Sequence, residues 1–263
     1  MADPDEGMAA DGTIRTGAQR GRVPELFEPV LTDAVGLLGE SGASLYVYGS
    51  VANGTAQPGS SDVDLLAIDL PAAAFVEDRL SARYADRCRS VEVVAAMAAD
   101  FAGDSDEAYG YRVFLRHYCV HLAGPDPAAS LPAFRADARA ARGFNGDLGQ
   151  HLCRWRRELE DRSVAADVLG VRAARKTLLA LAGLVSIQDR TWTTSRERAV
   201  RRWSEIEPGL AADLSRLSSW ATRERSPSSH ELEHALAVDG VITAIVDRFG
   251  GLIGLWTSTP EGH

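Results

Sequence analysis

The chain has 263 residues, 45% of them apolar and 25% charged, with a formal net charge of −9. That is the balance of a soluble globular protein, long enough for one large domain or two modest ones, and no apolar run reaches membrane-spanning length. The acidic balance weighs against a broad nucleic-acid surface, which needs clustered positive charge, and would suit a cationic small molecule.

Three cysteines, Cys88, Cys119 and Cys153, are far apart and odd in number, which suits reduced thiols in a cytoplasm. The opening Met1-Ala-Asp-Pro-Asp-Glu is acidic and lacks the basic-then-apolar plan of a secretory signal. A cytoplasmic protein without a membrane segment is therefore expected. Nearly all basic residues are arginine, and Lys176 is the single lysine.

Residues 1–20 are polar, small and charged without periodicity, and predict a disordered tail. From Pro24, the spacing of Leu26, Phe27, Val30, Leu31, Ala34, Val35 and Leu38 predicts a helix that Gly42 ends. Ser44–Tyr48 reads as a first strand. A flexible turn-rich loop with Gly54, Pro58, Gly59, Ser60 and Ser61 follows, and Asp62-Val-Asp64 opens a second strand. Pro71 should start a helix carrying Phe75, Leu80 and Tyr84. Ser90–Ala96 predicts a third strand with Val91 and Val93 on one face and Glu92 opposite. Gly103–Glu107 reads as an acidic loop, Tyr118–Leu122 as a fourth strand, and the proline-rich "GPDPAASLP" as the exit from a domain. Beyond Leu131 the Ala, Arg, Leu and Glu content predicts four or five helices. Breaks are expected near Gly143–Gly146, Ser186–Thr194, Glu207–Gly209 and Ser226–Ser228. The expected fold is α+β: an α/β domain with a mixed sheet over residues 21–127, then an all-α helical bundle over 128–263.

The chemistry concentrates between Leu45 and Ile68. Asp62 and Asp64 lie two apart on a strand, so both carboxylates should share one face, where they repel unless a cation sits between them. Magnesium is the usual answer, because it takes hard oxygen ligands and keeps positions for water and phosphate. Gly49 permits close backbone approach, and Ser50 offers a hydroxyl and an amide to phosphate oxygen. Together these read as phosphoryl or nucleotidyl transfer. Glu92 is the best third carboxylate, a charge inside an apolar strand. Further neutralisation of a triphosphate is expected from the helical half, where "VRAARKTLLALAGL" puts Arg172, Arg175 and Lys176 at helical spacing; Lys176 is the first choice, and a solvated basic face the alternative. His117, Cys119 and His121 would share a strand face, better read as structural than as a zinc site. Trp155, Trp192, Trp203 and Trp220 read as core rather than cleft. The acids Asp104, Asp106 and Glu107 could bind substrate ammonium groups or simply be solvated.

Gly49-Ser50, eleven intervening residues and Asp62-Val-Asp64 resemble the signature of the nucleotidyltransferase superfamily typified by DNA polymerase beta. Within it, "YVYGSVANGTAQPGSSDVDLLAI" is most similar to the streptomycin/spectinomycin adenylyltransferases. The likeness is specific over about the first half of the chain and looser beyond. It implies a nucleotidyltransferase domain using ATP and magnesium, with Asp62, Asp64 and Glu92 as metal ligands. Gly49 and Ser50 would lie at the nucleotide phosphates. "SVEVV" resembles the family's "LEVTV"-type strand, whose glutamate is the general base toward the acceptor hydroxyl, here Glu92. "TTSRERAV" resembles a short segment around a Ser-Lys pair near the triphosphate, with Arg196 in place of the lysine. The family's acceptor-binding acids and aromatics find no position-by-position match, although Glu158, Glu160, Asp161 and Asp167, read as one long helix, could face a cleft. The implied reaction moves AMP from ATP to a hydroxyl of a small molecule, an aminoglycoside-like antibiotic, with release of pyrophosphate. The alternatives are modification of tRNA or protein in a toxin–antitoxin-like system, and a non-enzymatic binding module. The intact Asp62, Asp64 and Glu92 weigh against the last.

Overall fold

A computed structural model describes residues 3–38, 42–70 and 73–256. The predicted helix start at Pro71 lies outside those residues, as do the side chains of Leu38 and Phe75. The chain divides into two compact units, Met1–Arg135 and Ala136–His263. The fold is mixed α and β, with all of the described strands in the first unit.

The sheet of the first unit is built from β3 (Ser44–Tyr48), β4 (Val63–Ile68), β5 (Val91–Ala96) and β6 (Val120–Ala123), in the order β5-β4-β3-β6. β3 pairs antiparallel with both β4 and β6, whereas β4 and β5 run parallel. The sheet is therefore mixed. The parallel pair requires a crossover, which α3 (Ala73–Arg83) supplies. Period-two alternation sorts the side chains. Leu45, Val47, Leu65, Ala67, Val91 and Val93 point to one face, where Phe27, Val30 and Leu31 of the segment entering α1 (Glu28–Leu38) and Val76 and Leu80 of α3 cover them. Each such side chain removed from water contributes roughly 1.5–3 kcal/mol. The opposite face carries Tyr46, Leu66 and Ile68, which α4 (Asp106–Tyr118) caps with Leu115. Beyond that apolar patch, the same face carries Tyr48, Asp64 and Glu92 side by side across three strands.

The N-terminal residues differ from the expected disordered tail. β1 (Gly7–Met8) and β2 (Ile14–Arg15) form a hairpin, and Ile14 is buried. The Ile14 amide donates to Phe134 O at 2.8 Å, Thr13 bridges Arg135, and Tyr118 donates to Glu6 Oε1 at 2.7 Å. These partners lie more than a hundred residues away, so no local periodicity announces them. A second difference concerns the fourth strand. α4 extends through Tyr118, with the Ser105 hydroxyl accepting from the Ala108 amide as its cap, and the strand begins only at Val120. The supposed acidic loop is thus partly the first turn of α4, where Asp106 and Glu107 complement the helix dipole.

The second unit contains seven described α-helices rather than four or five: α5 (Ala138–Asn145), α6 (Leu148–Glu160), α7 (Ala166–Gln188), α8 (Arg196–Ile206), α9 (Ala211–Ala221), α10 (Ser229–Leu236) and α11 (Val241–Leu252). The sequence breaks fall where expected, but several helices are short. α7 is the axle. From Thr177 to Ser186 nearly every residue is buried, and its small Ala180, Ala182 and Gly183 let neighbours approach closely; Gly183 meets Phe249 and Ala141. Trp155, Trp192, Trp203 and Trp220 are all buried, as core residues. Glu158 and Glu160 lie on α6, Asp161 ends it, and Asp167 opens α7, so these four acids do not share one helix.

Candidate functional site

Tyr48 ends β3, and Gly49 turns the chain into the four-residue α2 (Gly49–Ala52), so the expected flexible loop begins with a helical turn. Gly49 has φ +71°, a conformation L-residues rarely adopt, and a Cβ there would run into Asp64 Oδ2. Glycine is required twice over: for the backbone turn and for the room that the Asp64 carboxylate takes. Ser50 follows on α2, half-buried, and its carbonyl accepts from the Thr55 and Ala56 amides at 2.9 and 3.1 Å, closing the turn.

Asp64 stands opposite Tyr48 on β3 and opposite Glu92 on β5. Its pKa is raised to about 6, first by burial and then by the negative charges of Glu92 and Asp62, with Arg89 working the other way. Burial and the Asp64 charge likewise raise the Tyr48 phenol. Glu92 itself is exposed. Asp62 lies just before β4 and is already engaged: Arg89 Nε donates to Oδ1 at 2.9 Å, a second Arg89 nitrogen holds Oδ2, and Ser90 Oγ donates to Oδ1 at 2.6 Å. Gly49, Asp64 and Glu92 are thus brought together, with Asp62 close enough to act on Asp64 by charge. The sequence reading missed Arg89. It sits in the turn before β5 with no pattern around it, and only the fold sets it against Asp62.

Among the described residues no three His, Cys, Asp or Glu side chains are already gathered as a metal cage. The donor chemistry nevertheless suits a hard divalent cation: carboxylate oxygens crowded at Asp64 and Glu92, with like-charge repulsion that a cation would relieve. Asp62 would join such a set only on leaving Arg89.

His117, Cys119 and His121 do not share a strand face. His117 is on α4, where its Nε2 accepts from the Phe134 amide at 2.9 Å, and burial holds its pKa down near 4. His121 is on β6 and contacts Gly124 O at 3.1 Å through Nε2. The trio is structural.

In the second unit, Lys176 and Arg196 line one pocket of about 500 Å³ together with Arg154, Arg172 and Arg175. Lys176 is not free there. Its Nζ lies 2.7 Å from Asp147 Oδ1 and donates to Phe144 O at 3.1 Å. Burial pushes the Asp147 carboxyl up, but the His151 hydrogen bond and the Lys176 charge outweigh it and leave the pKa below the ordinary value. Arg196 donates through Nε to Arg175 O at 3.2 Å, and its pKa is lowered by the surrounding protein and by Arg175, a shift that leaves arginine cationic at neutral pH. The positive charge this pocket can offer a ligand therefore comes from its arginines more than from its lysine.

The model of the nucleotidyltransferase domain family matches residues 31–86. That span runs from within α1 through β3, Gly49, Ser50, Asp62, Asp64 and β4 to just past the end of α3, and it supports nucleotidyl transfer as the general chemistry of the first unit. It ends before Arg89 and Glu92. No curated protein matches the chain. Among the described residues no helix is long and apolar enough to cross a membrane.

Proposed function

We propose that the protein transfers AMP from ATP to a hydroxyl of a small cationic acceptor, of aminoglycoside-like chemistry, and releases pyrophosphate. The observation that carries this reading is the cradle in which Gly49, held at positive φ, leaves room for the buried Asp64 carboxylate opposite Glu92, inside and beside the matched domain. Glu92, exposed at the strand edge, takes the acceptor proton as the acceptor oxygen bonds to the α-phosphorus. The bond from the α-phosphorus to the bridging oxygen breaks, and the electron pair leaves with pyrophosphate. Asp64 and Glu92, joined by Asp62, would hold magnesium, which supplies charge neutralisation at the phosphate oxygens. Gly49 and Ser50 hold the nucleotide phosphates, and the pocket lined by Lys176 and Arg196 is, within its own unit, a basic site of the kind a polyphosphate needs.

The acceptor class rests on charge. The first unit has 20 acidic residues against 10 basic ones, and the second has 17 against 18. The whole acidic excess lies in the unit that carries the proposed chemistry, a balance that attracts polycations and repels a nucleic-acid backbone. The test is pyrophosphate release from ATP with magnesium, scanned over antibiotic hydroxyl acceptors and bulk tRNA. Release stimulated by an aminocyclitol or aminoglycoside supports the reading. Release stimulated only by tRNA replaces the acceptor, and no release with any acceptor removes the reaction.

A further inference from the structure

Beside the pocket of Lys176 and Arg196 lies a second concavity of about 400 Å³, walled by Arg172, Arg175 and Arg223, with Ser226 at its rim and Asp167 its one acid. Its charged wall sums to two positive charges at neutral pH. Among the described residues none of the three arginines is in an ion pair. In the same unit Arg202, Arg216, Arg225 and Arg248 each hold a carboxylate. In a chain with more acidic than basic residues, three arginines outside any ion pair around a cavity with a single acid are charge held for a ligand.

The cavity is also built rather than incidental. Its far wall is the end of α9 and the segment after it, and two contacts pin that stretch to α7. Arg175 Nε donates to Ala221 O at 2.9 Å, which fixes the guanidinium and leaves its terminal nitrogens for another partner. At Gly170 a Cβ would collide with the Pro227 ring, so glycine lets the chain seat Pro227 directly on the helix. Arg223 lies between these two anchors with φ +63°, just past the end of α9, where its amide donates to Trp220 O at 3.1 Å. Arg162 and Arg190 hold similar backbone angles just past α6 and α7, so the turn alone singles out nothing. Arg223 differs in facing a cavity already lined by two arginines.

We propose that Arg172, Arg175 and Arg223 form a second anion site that takes a phosphoryl group, separate from the pocket of Lys176 and Arg196 and sharing two arginines with it. Guanidinium groups favour planar, bidentate recognition of phosphate over a single point charge, and three of them around 400 Å³ fit a phosphate or diphosphate group. The phosphoryl group could belong to free pyrophosphate or to a nucleotide. Because Arg172 and Arg175 line both pockets, two anions seated at once compete for the same donors.

The experiment is calorimetric titration of the full chain with inorganic phosphate, pyrophosphate and ATP at low ionic strength. Arg223→Asn suits the left-handed turn while removing the guanidinium, and should fold at least as well as the parent. It should weaken pyrophosphate binding roughly tenfold or more, as should Arg172→Gln, whereas Arg223→Lys should retain part of it. Asp64→Asn, which disables the proposed transfer chemistry, should leave this binding unchanged, so the two readings fail separately. A loss seen with ATP but not pyrophosphate assigns the site to nucleotide; the reverse assigns it to the free anion. Folded Arg223→Asn and Arg172→Gln variants that bind all three probes as the parent does overturn the site. So does loss of binding only on Lys176→Met, which would put the anion in the neighbouring pocket alone.

Discussion

The two units hold uncompensated charge of opposite sign. In the first, Asp64 and Glu92 stand side by side on one face of the sheet, and burial, followed by the charges of Glu92 and Asp62, raises the Asp64 pKa to about 6. In the second, Arg172, Arg175 and Arg223 stand around a cavity whose one acid is Asp167, and among the described residues none of the three is in an ion pair. A fold optimised only for stability would pair such groups or replace them. Each unit instead keeps a local cost that a ligand of the complementary charge would relieve, on our proposals a cation in the first and a phosphoryl group in the second.

The sharpest way to break that contrast is Asp64→Asn. Turnover should fall below detection in a pyrophosphate assay, while the metal-free protein becomes more stable. The sign follows from the raised folded pKa. Protonated Asp64 favours folding below about pH 4, and that contribution disappears as pH rises through about 6, so the parent loses about 2–3 kcal/mol across this window. Urea melts between pH 4 and 8 should show that decline in the parent and its absence in the variant. Equal slopes would mean that burial and the neighbouring carboxylates do not raise the Asp64 pKa. Glu92→Gln comes next: ATP binding should persist, and transfer should slow by about 10²–10⁴-fold in single-turnover kinetics. Lys176→Met should weaken ATP binding by less than loss of Arg175 or Arg172 does, because the Lys176 charge is already spent on Asp147; parallel titrations compare the three. Arg89→Ala is the mildest. Its exposed contact with Asp62 should contribute under about 1 kcal/mol to stability, yet its removal should tighten magnesium binding by freeing a carboxylate.

Legibility in the sequence followed the range of the contacts. β3 and β4 were readable because their alternating apolar residues face a single core, and Gly49, Asp62 and Asp64 because the turn and the strand lie within sixteen residues. The four tryptophans were readable as core because bulky rings at helical spacing among leucine and alanine have few other places to go. The start of β6 was misplaced because "RHYCVHL" alternates like a strand, while the cap at Ser105 drives α4 through Tyr118. The N-terminal hairpin and Arg89 left no signal, since each is defined by partners the chain reaches only after folding. The same holds for the cavity at Arg223, whose walls come from two helices and the turn after one of them.

The hairpin has a consequence for the topology of the first unit. Thr13 lies beside Arg135, the last residue of that unit, so its chain closes on itself into a near-continuous loop. Domains whose ends meet this way tolerate being cut elsewhere and rejoined. A circular permutant linking the two ends and opening at Gly59, exposed in the loop between Gly49 and Asp64, should preserve the sheet. Trimming the first seventeen residues as though they were a tail would instead strip Phe134 of its strand partner and leave the unit open at the seam.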